Sequence, residues 1–157
     1  MSDHEVAVIW SAPTVEGDPS DQDLMNWAEQ ALDHQGVAPC EMAIKIVEPE
    51  ESRALNLQFR GKDSPTNVLS FPLDGGMPDQ SLLLGDLAVC ADIVRAEAAQ
   101  QGKTVAAHFA HMTVHGVMHL MGFDHAEEAE AEEMEQIEIK ILHTIGFPDP
   151  YEFSDAG

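Results

Sequence analysis

Residues 115–125 read HGVMHLMGFDH, three histidines within eleven residues. On an α-helix, His115 and His119 stand one turn apart on one face, so both imidazoles can reach a single ion. Gly122 can end that helix and turn the chain, after which His125 can swing back to the same point. Three neutral nitrogen donors leave a fourth tetrahedral position for water, the pattern of a catalytic rather than a structural zinc site. Two histidines at i,i+4 alone are more readily core hydrogen-bonders or exposed polar residues than ligands. The third at this spacing favours one Zn2+ per chain on His115, His119 and His125. His108 and His111 project near the face of His115, and periodicity leaves both as candidate ligands. Position 116, where an H-E-x-x-H peptidase carries its general-base glutamate, is glycine, which argues against that chemistry. Gly116 instead lets another backbone or a substrate approach closely.

Other residues could share the work. Arg60 and Lys62 are two of only seven basic residues and fall where a helix gives way to a strand. A guanidinium there can clamp a phosphate with two hydrogen bonds and offset charge in a transition state, although a surface arginine at a helix end is also favoured by the dipole. Asp86 follows Gly85 inside an apolar strand, where a buried carboxylate is costly unless paired, so it is expected either to orient Arg60 or a metal-bound water or to cap a neighbouring helix. Three candidates for general base stay open: His111, Asp86 and a metal-bound hydroxide. Asp124 and Glu127, three apart, resemble a helix cap, with support of a metal-binding histidine as the alternative. Met112, Met118 and Met121 are expected to be packing residues.

These groups need elements to hold them. EVAVIW and MAIKIV have strand patterning on either side of a helical segment with Leu24, Trp27, Ala28, Ala31 and Leu32 at helical spacing, capped by Ser20 or Asp21 and stopped at Gly36. PEESRALNLQFRG predicts a helix starting at Pro49 and ending at Gly61, with Leu55 and Phe59 on one face. NVLSFPL and LLLGDLAVC follow as strands around the turn-rich DGGMPDQ. Helices are expected over 91–101 and 104–121, and a final one from about Ala126 to Ile145. In that final segment Met134, Ile137 and Ile141 form one apolar stripe on an otherwise acidic, solvated helix.

Composition sets the outer bounds. A chain of 157 residues with 44% hydrophobic content is expected to form a single domain. Its core should run over about 5–147, with a short tail over 148–157. The opening residues lack the parts of a signal peptide, no run reaches membrane-spanning length, and Cys40 and Cys90 make no disulfide framework, so a cytoplasmic protein with no membrane contact is expected. The formal net charge of −22 argues against nucleic-acid binding through a broad basic face. Any polyanion must be met locally.

HGVMHLMGFDH resembles the H-G-x-x-H-L-x-G-[FY]-D-H signature of the YbeY family, metal-dependent endoribonucleases of ribosomal RNA maturation. FRGKDSPTNVLSFP, residues 59–72, is similar to a second block of that family, and LLGDLAVC to its L-G-D-I strand. The resemblance spans roughly Met42 to Phe147. It implies an α+β, zincin-like fold, a roughly four-stranded mixed sheet packed against about five helices. It also implies zinc on His115, His119 and His125, and a cleft lined by Arg60. The implied reaction is cleavage of single-stranded RNA in maturation of the 16S rRNA 3′ end and in ribosome quality control. The implied partners are the 16S rRNA precursor and the small ribosomal subunit, with a basic ribosomal protein as the natural match for the acidic helix. Two rivals stand beside this: a non-catalytic ribosome-assembly factor with a structural metal, and a metal-dependent hydrolase of a non-RNA substrate. An open fourth coordination position favours an enzyme, and a fourth protein ligand such as His111 favours the structural role.

Overall fold

The computed structural model describes residues 4–73, 82–123 and 127–151. The chain runs β1 (Glu5–Trp10), α1 (Asp21–His34), β2 (Cys40–Val47), α2 (Pro49–Arg60), β3 (Val68–Pro72), β4 (Leu82–Cys90), α3 (Ala91–Gln101), α4 (Val105–Leu120) and α5 (Glu128–Thr144). The strands form a four-stranded sheet in the order β1-β2-β4-β3. β1, β2 and β4 are parallel, and β3 runs antiparallel to β4 as an edge. This is the expected mixed α+β architecture with five described helices.

The sheet has two unequal faces. Ile44, Ile46, Leu87 and Val89 enter the main core with α1, α4 and α5, whereas Val47, Leu69, Ala88 and Cys90 form a smaller core with Leu55 of α2. Successive strand residues point to opposite faces, so neighbours such as Leu87 and Ala88 serve different cores. Gly85 stands beside a register irregularity between β2 and β4, with φ of +145°. A Cβ there would lie 2.3 Å from the Phe71 carbonyl oxygen, so only glycine fits.

Local signals place most helix ends. Ser20 caps α1, its hydroxyl accepting from the Asp23 amide while the Asp23 side chain accepts from the Ser20 amide. Thr104 caps α4 at the Ala107 amide, and Gly61 ends α2 in the left-handed conformation. At α5 the N-cap is Glu127, with no side-chain capping bond. The anticipated cap, in which Glu127 was to lie inside the helix, is therefore corrected; Asp124 lies outside the described residues. Arg95 of α3 grips Asp18 of the β1–α1 connection through Nε–Oδ1 at 3.0 Å and Nη2–Oδ2 at 2.6 Å. Among the described residues, no helix is long and apolar enough to cross a membrane.

Candidate functional site

α4 is the central helix, buried from His108 through Leu120 except on the side of His115 and His119. Its approach to the sheet is set by Gly116. A Cβ there would meet the Leu87 methyls at 2.8 and 2.9 Å and a Val68 methyl at 3.2 Å. The group that comes close is thus the packed surface of β3 and β4, neither a backbone nor a substrate. Ser70 of β3 donates its hydroxyl to the Gly116 carbonyl at 3.0 Å, which fastens the helix to the edge strand beside His115.

His115 and His119 turn their Nε2 atoms toward each other at 3.1 Å. Two nitrogens each bound 2.0–2.1 Å from a tetrahedral zinc lie about 3.3 Å apart, so the pair spans what one ion requires. On its other side, His115 places Nδ1 2.6 Å from Oε2 of Glu138, a residue of α5 that is fully buried. Nδ1 must donate there, which makes Nε2, the atom facing His119, the ring nitrogen that carries the lone pair. The second oxygen of Glu138 accepts from the Tyr151 hydroxyl and from Nε2 of His111 at 3.1 Å. Burial pushes the Glu138 carboxyl up, but hydrogen bonds from His111 and His115, and their charge when protonated, outweigh it and hold the group at about 2. Burial and the neighbouring Glu138 push the Tyr151 phenol up, keeping it a proton donor.

Among the described residues, His111, His115 and Glu138 form a group whose donor atoms all lie within 4.8 Å and could hold a metal. The Glu138–His115 separation of 2.6 Å is a short hydrogen bond, below the roughly 3.3 Å between two ligands of one tetrahedral zinc. Glu138 therefore stands as the hub that orients the histidines, and the facing Nε2 atoms of His115 and His119 as a pair that could hold an ion.

A cleft of about 490 Å³ opens at this pair, lined by Arg60, Asn67, Ser70, His115 and His119 among others. No carboxylate lines it among the described residues. In a chain of net charge −22 this is a local suspension of the general repulsion toward anions. Arg60 closes α2 at the cleft mouth. The following loop is tied back onto α2, with Arg53 paired to Asp63 through two bonds and Asn56 donating to the Ser64 carbonyl at 2.8 Å. Asn67 is fixed by its own side chain, which donates to Glu97 at 3.1 Å.

The structure therefore brings Arg60, His115 and His119 together. His125 lies outside the described residues. His111, considered as a ligand or general base, is 7% exposed, bonded to Glu138 and Tyr151, and absent from the described cleft lining. Asp86 corrects the expectation of a buried carboxylate. It is exposed, and it lines a separate hollow with Lys45 and Arg60. His108 is buried against Glu97 at 2.8 Å; burial lowers its pKa and the Glu97 bond opposes that. Glu138 and Tyr151 were missed from sequence. The available signal was Glu138 itself, four residues after Met134 and three before Ile141, an acid on the buried stripe of α5.

A mixed sheet carrying a helix-borne histidine pair, a buried carboxylate behind it and an arginine-lined cleft in front defines an α+β protein with a centre that could hold a metal. A family model described as Endoribonuclease YbeY matches residues 13–146. A curated relative, Endoribonuclease YbeY of Stutzerimonas stutzeri, is 52% identical over 136 residues, covering 85% of this chain and 83% of the relative. The solution structure of TM1509 from Thermotoga maritima superposes with a TM-score of 0.59 at 25% identity, covering 97% of this chain and 98% of that one. The chain belongs to the YbeY family.

Proposed function

We propose that the protein is a zinc-dependent endoribonuclease that cleaves single-stranded RNA, acting on the precursor of 16S rRNA at its 3′ end and in ribosome quality control. The carrying observation is the His115–His119 pair, Nε2 to Nε2 at 3.1 Å, opening into a cleft that Arg60 lines and no described carboxylate enters. The relative's name, Endoribonuclease YbeY, supports the same reading. His115, His119 and His125 would hold the ion, and zinc suits three imidazoles. When bound, the ion supplies Lewis acidity toward a phosphoryl oxygen and lowers the pKa of a coordinated water.

The chain's own residues do the remaining work. Glu138 fixes the tautomer of His115, and His111 and Tyr151 satisfy its other oxygen and hold it in place. The Arg60 guanidinium receives the phosphate and offsets charge that grows on it during cleavage. His111 spends Nε2 on Glu138 and Tyr151, and among the described residues it does not line the cleft. That observation favours an enzyme over a structural metal site. The exposed Glu127, Glu128, Glu132 and Glu133 of the α5 region suit a basic protein of the small ribosomal subunit in the cytoplasm.

The test combines elemental analysis of protein expressed at native level with cleavage of single-stranded RNA. One zinc per chain and cleavage by wild type, with both lost in the triple alanine variant of His115, His119 and His125, is the expected result. Full metal retention by that variant overturns the ligand assignment, and a zinc-loaded wild type inert on RNA overturns the activity.

A further inference from the structure

A second hollow, of about 550 Å³, lies against the other side of the edge strand and shares Arg60, Ser70 and Pro72 with the histidine cleft. Its lining differs in kind. Phe59, 58% exposed, stands edge-on to Phe71 with ring centroids 5.0 Å apart, and Asp86 contributes an exposed carboxylate. Its contact with Phe71 leaves more than half of this large aromatic residue open to solvent, one residue before the proposed phosphate-binding arginine. The nearby Lys45 is 3.5 Å from Glu51, which leaves Arg60 as the cation continuous between the two spaces.

We propose that this hollow holds a nucleobase of the RNA strand whose phosphate lies against Arg60. The inference rests on the endoribonuclease reading. Single-stranded RNA is recognised largely by stacking of splayed bases on aromatic side chains and arginine planes, and Phe59 offers a face beside such an arginine. A base is uncharged, so Asp86 does not repel it and can accept from an exocyclic amine. A protein docked over the same hollow would cover Arg60 and compete with the phosphate. The arrangement thus fits the strand that the cleft itself takes.

The experiment uses the zinc-loaded protein and a single-stranded oligonucleotide carrying 2-aminopurine at each nucleotide flanking the cleavage site in turn, with an abasic series in parallel. Wild type should quench the fluorophore at one position, and an abasic residue there should weaken binding about five- to hundred-fold. Phe59→Ala and Phe59→Leu should lose the quench and weaken the intact strand to the same extent, with little further loss on the abasic strand. Phe59→Tyr should retain both. The leucine variant keeps the apolar bulk if alanine disturbs α2. RNA cleavage by wild type with no quench at any position, or with unchanged affinity in both Phe59 variants, overturns the base site while leaving the nuclease intact. Loss of binding to ribosomal protein alone in the Phe59 variants likewise overturns it, in favour of a protein-docking face. A wild type that neither binds nor cleaves RNA removes the nuclease reading, and the base site falls with it.

Discussion

Glu138→Gln tests the design of the centre with almost no change of shape. Glu138 is fully buried, with Oε2 taking the His115 Nδ1 proton and Oε1 serving Tyr151 and His111. An amide has one acceptor and one donor end. If its oxygen serves Tyr151 and His111, its NH2 faces His115 Nδ1, and His115 must move its proton to Nε2. That is the atom needed for the ion. Outer partners of this kind typically change metal affinity by about 10- to 100-fold, roughly 1.4–2.8 kcal/mol. Losing a charge-assisted bond also destabilises the metal-free protein, offset in part by removing a buried charge, for a net loss of about 2 kcal/mol. That corresponds to roughly 4–8 °C in Tm. Zinc affinity by chelator competition and unfolding of the metal-free protein measure the two effects separately. A folded Glu138→Gln variant with wild-type zinc affinity would refute the orienting role. Abolished binding in Glu138→Gln, with unchanged binding in His119→Ala, would instead make Glu138 a ligand with His111.

Three further outcomes are expected. Arg60→Ala should lower RNA cleavage by orders of magnitude with Tm near wild type, since the side chain is exposed, and Arg60→Lys should rescue poorly because the two-bond geometry is lost; full activity in the alanine variant removes Arg60 from the reaction. Gly116→Ala should cost about 1–2 kcal/mol, because overpacking against the fully buried Leu87 exceeds the gain in helix propensity; an unchanged urea midpoint would mean that α4 is free to lift from the sheet. For Asp18, burial raises the carboxyl pKa but the Arg95 bonds lower it further, so the folded value is depressed. The pair therefore stabilises fully above the ordinary carboxylate pKa of about 3.9 and loses its effect as pH falls through the folded value. Asp18→Asn should cost about 2 kcal/mol at neutral pH, converging with wild type in acid; a gap independent of pH in urea unfolding would discard the pair as its source.

The legible parts of the molecule were those governed by local pattern. The β1–α1–β2 unit, the α2 limits at Pro49 and Gly61, and the i,i+4 placement of His115 and His119 depend on residues close in sequence. Arg60 was marked by the scarcity of cations and by the family block around it. What escaped was set by distant pairing. Asp86 stands on β4, an inner strand of the order β1-β2-β4-β3, but where the sheet face borders an open hollow, and strand patterning alone does not distinguish such a position from a buried one, hence the error over Asp86. Glu138 was hidden among many acids. Only its position on the apolar stripe separated it from solvated neighbours, and its partners lie on α4 and near residue 151.

The carboxylate of Glu138 gathers groups from sequence positions 111, 115, 138 and 151. During synthesis these emerge in that order, and earlier segments generally fold before later ones. A nascent chain that has made α4 already owns the histidine pair and the arginine cleft, but it lacks the anion that sets the His115 tautomer. When α5 follows, the hub still waits for the phenol of Tyr151. Assembly of the centre is therefore timed to the emergence of α5 and Tyr151, and a chain halted before them carries parts of the centre without a finished one.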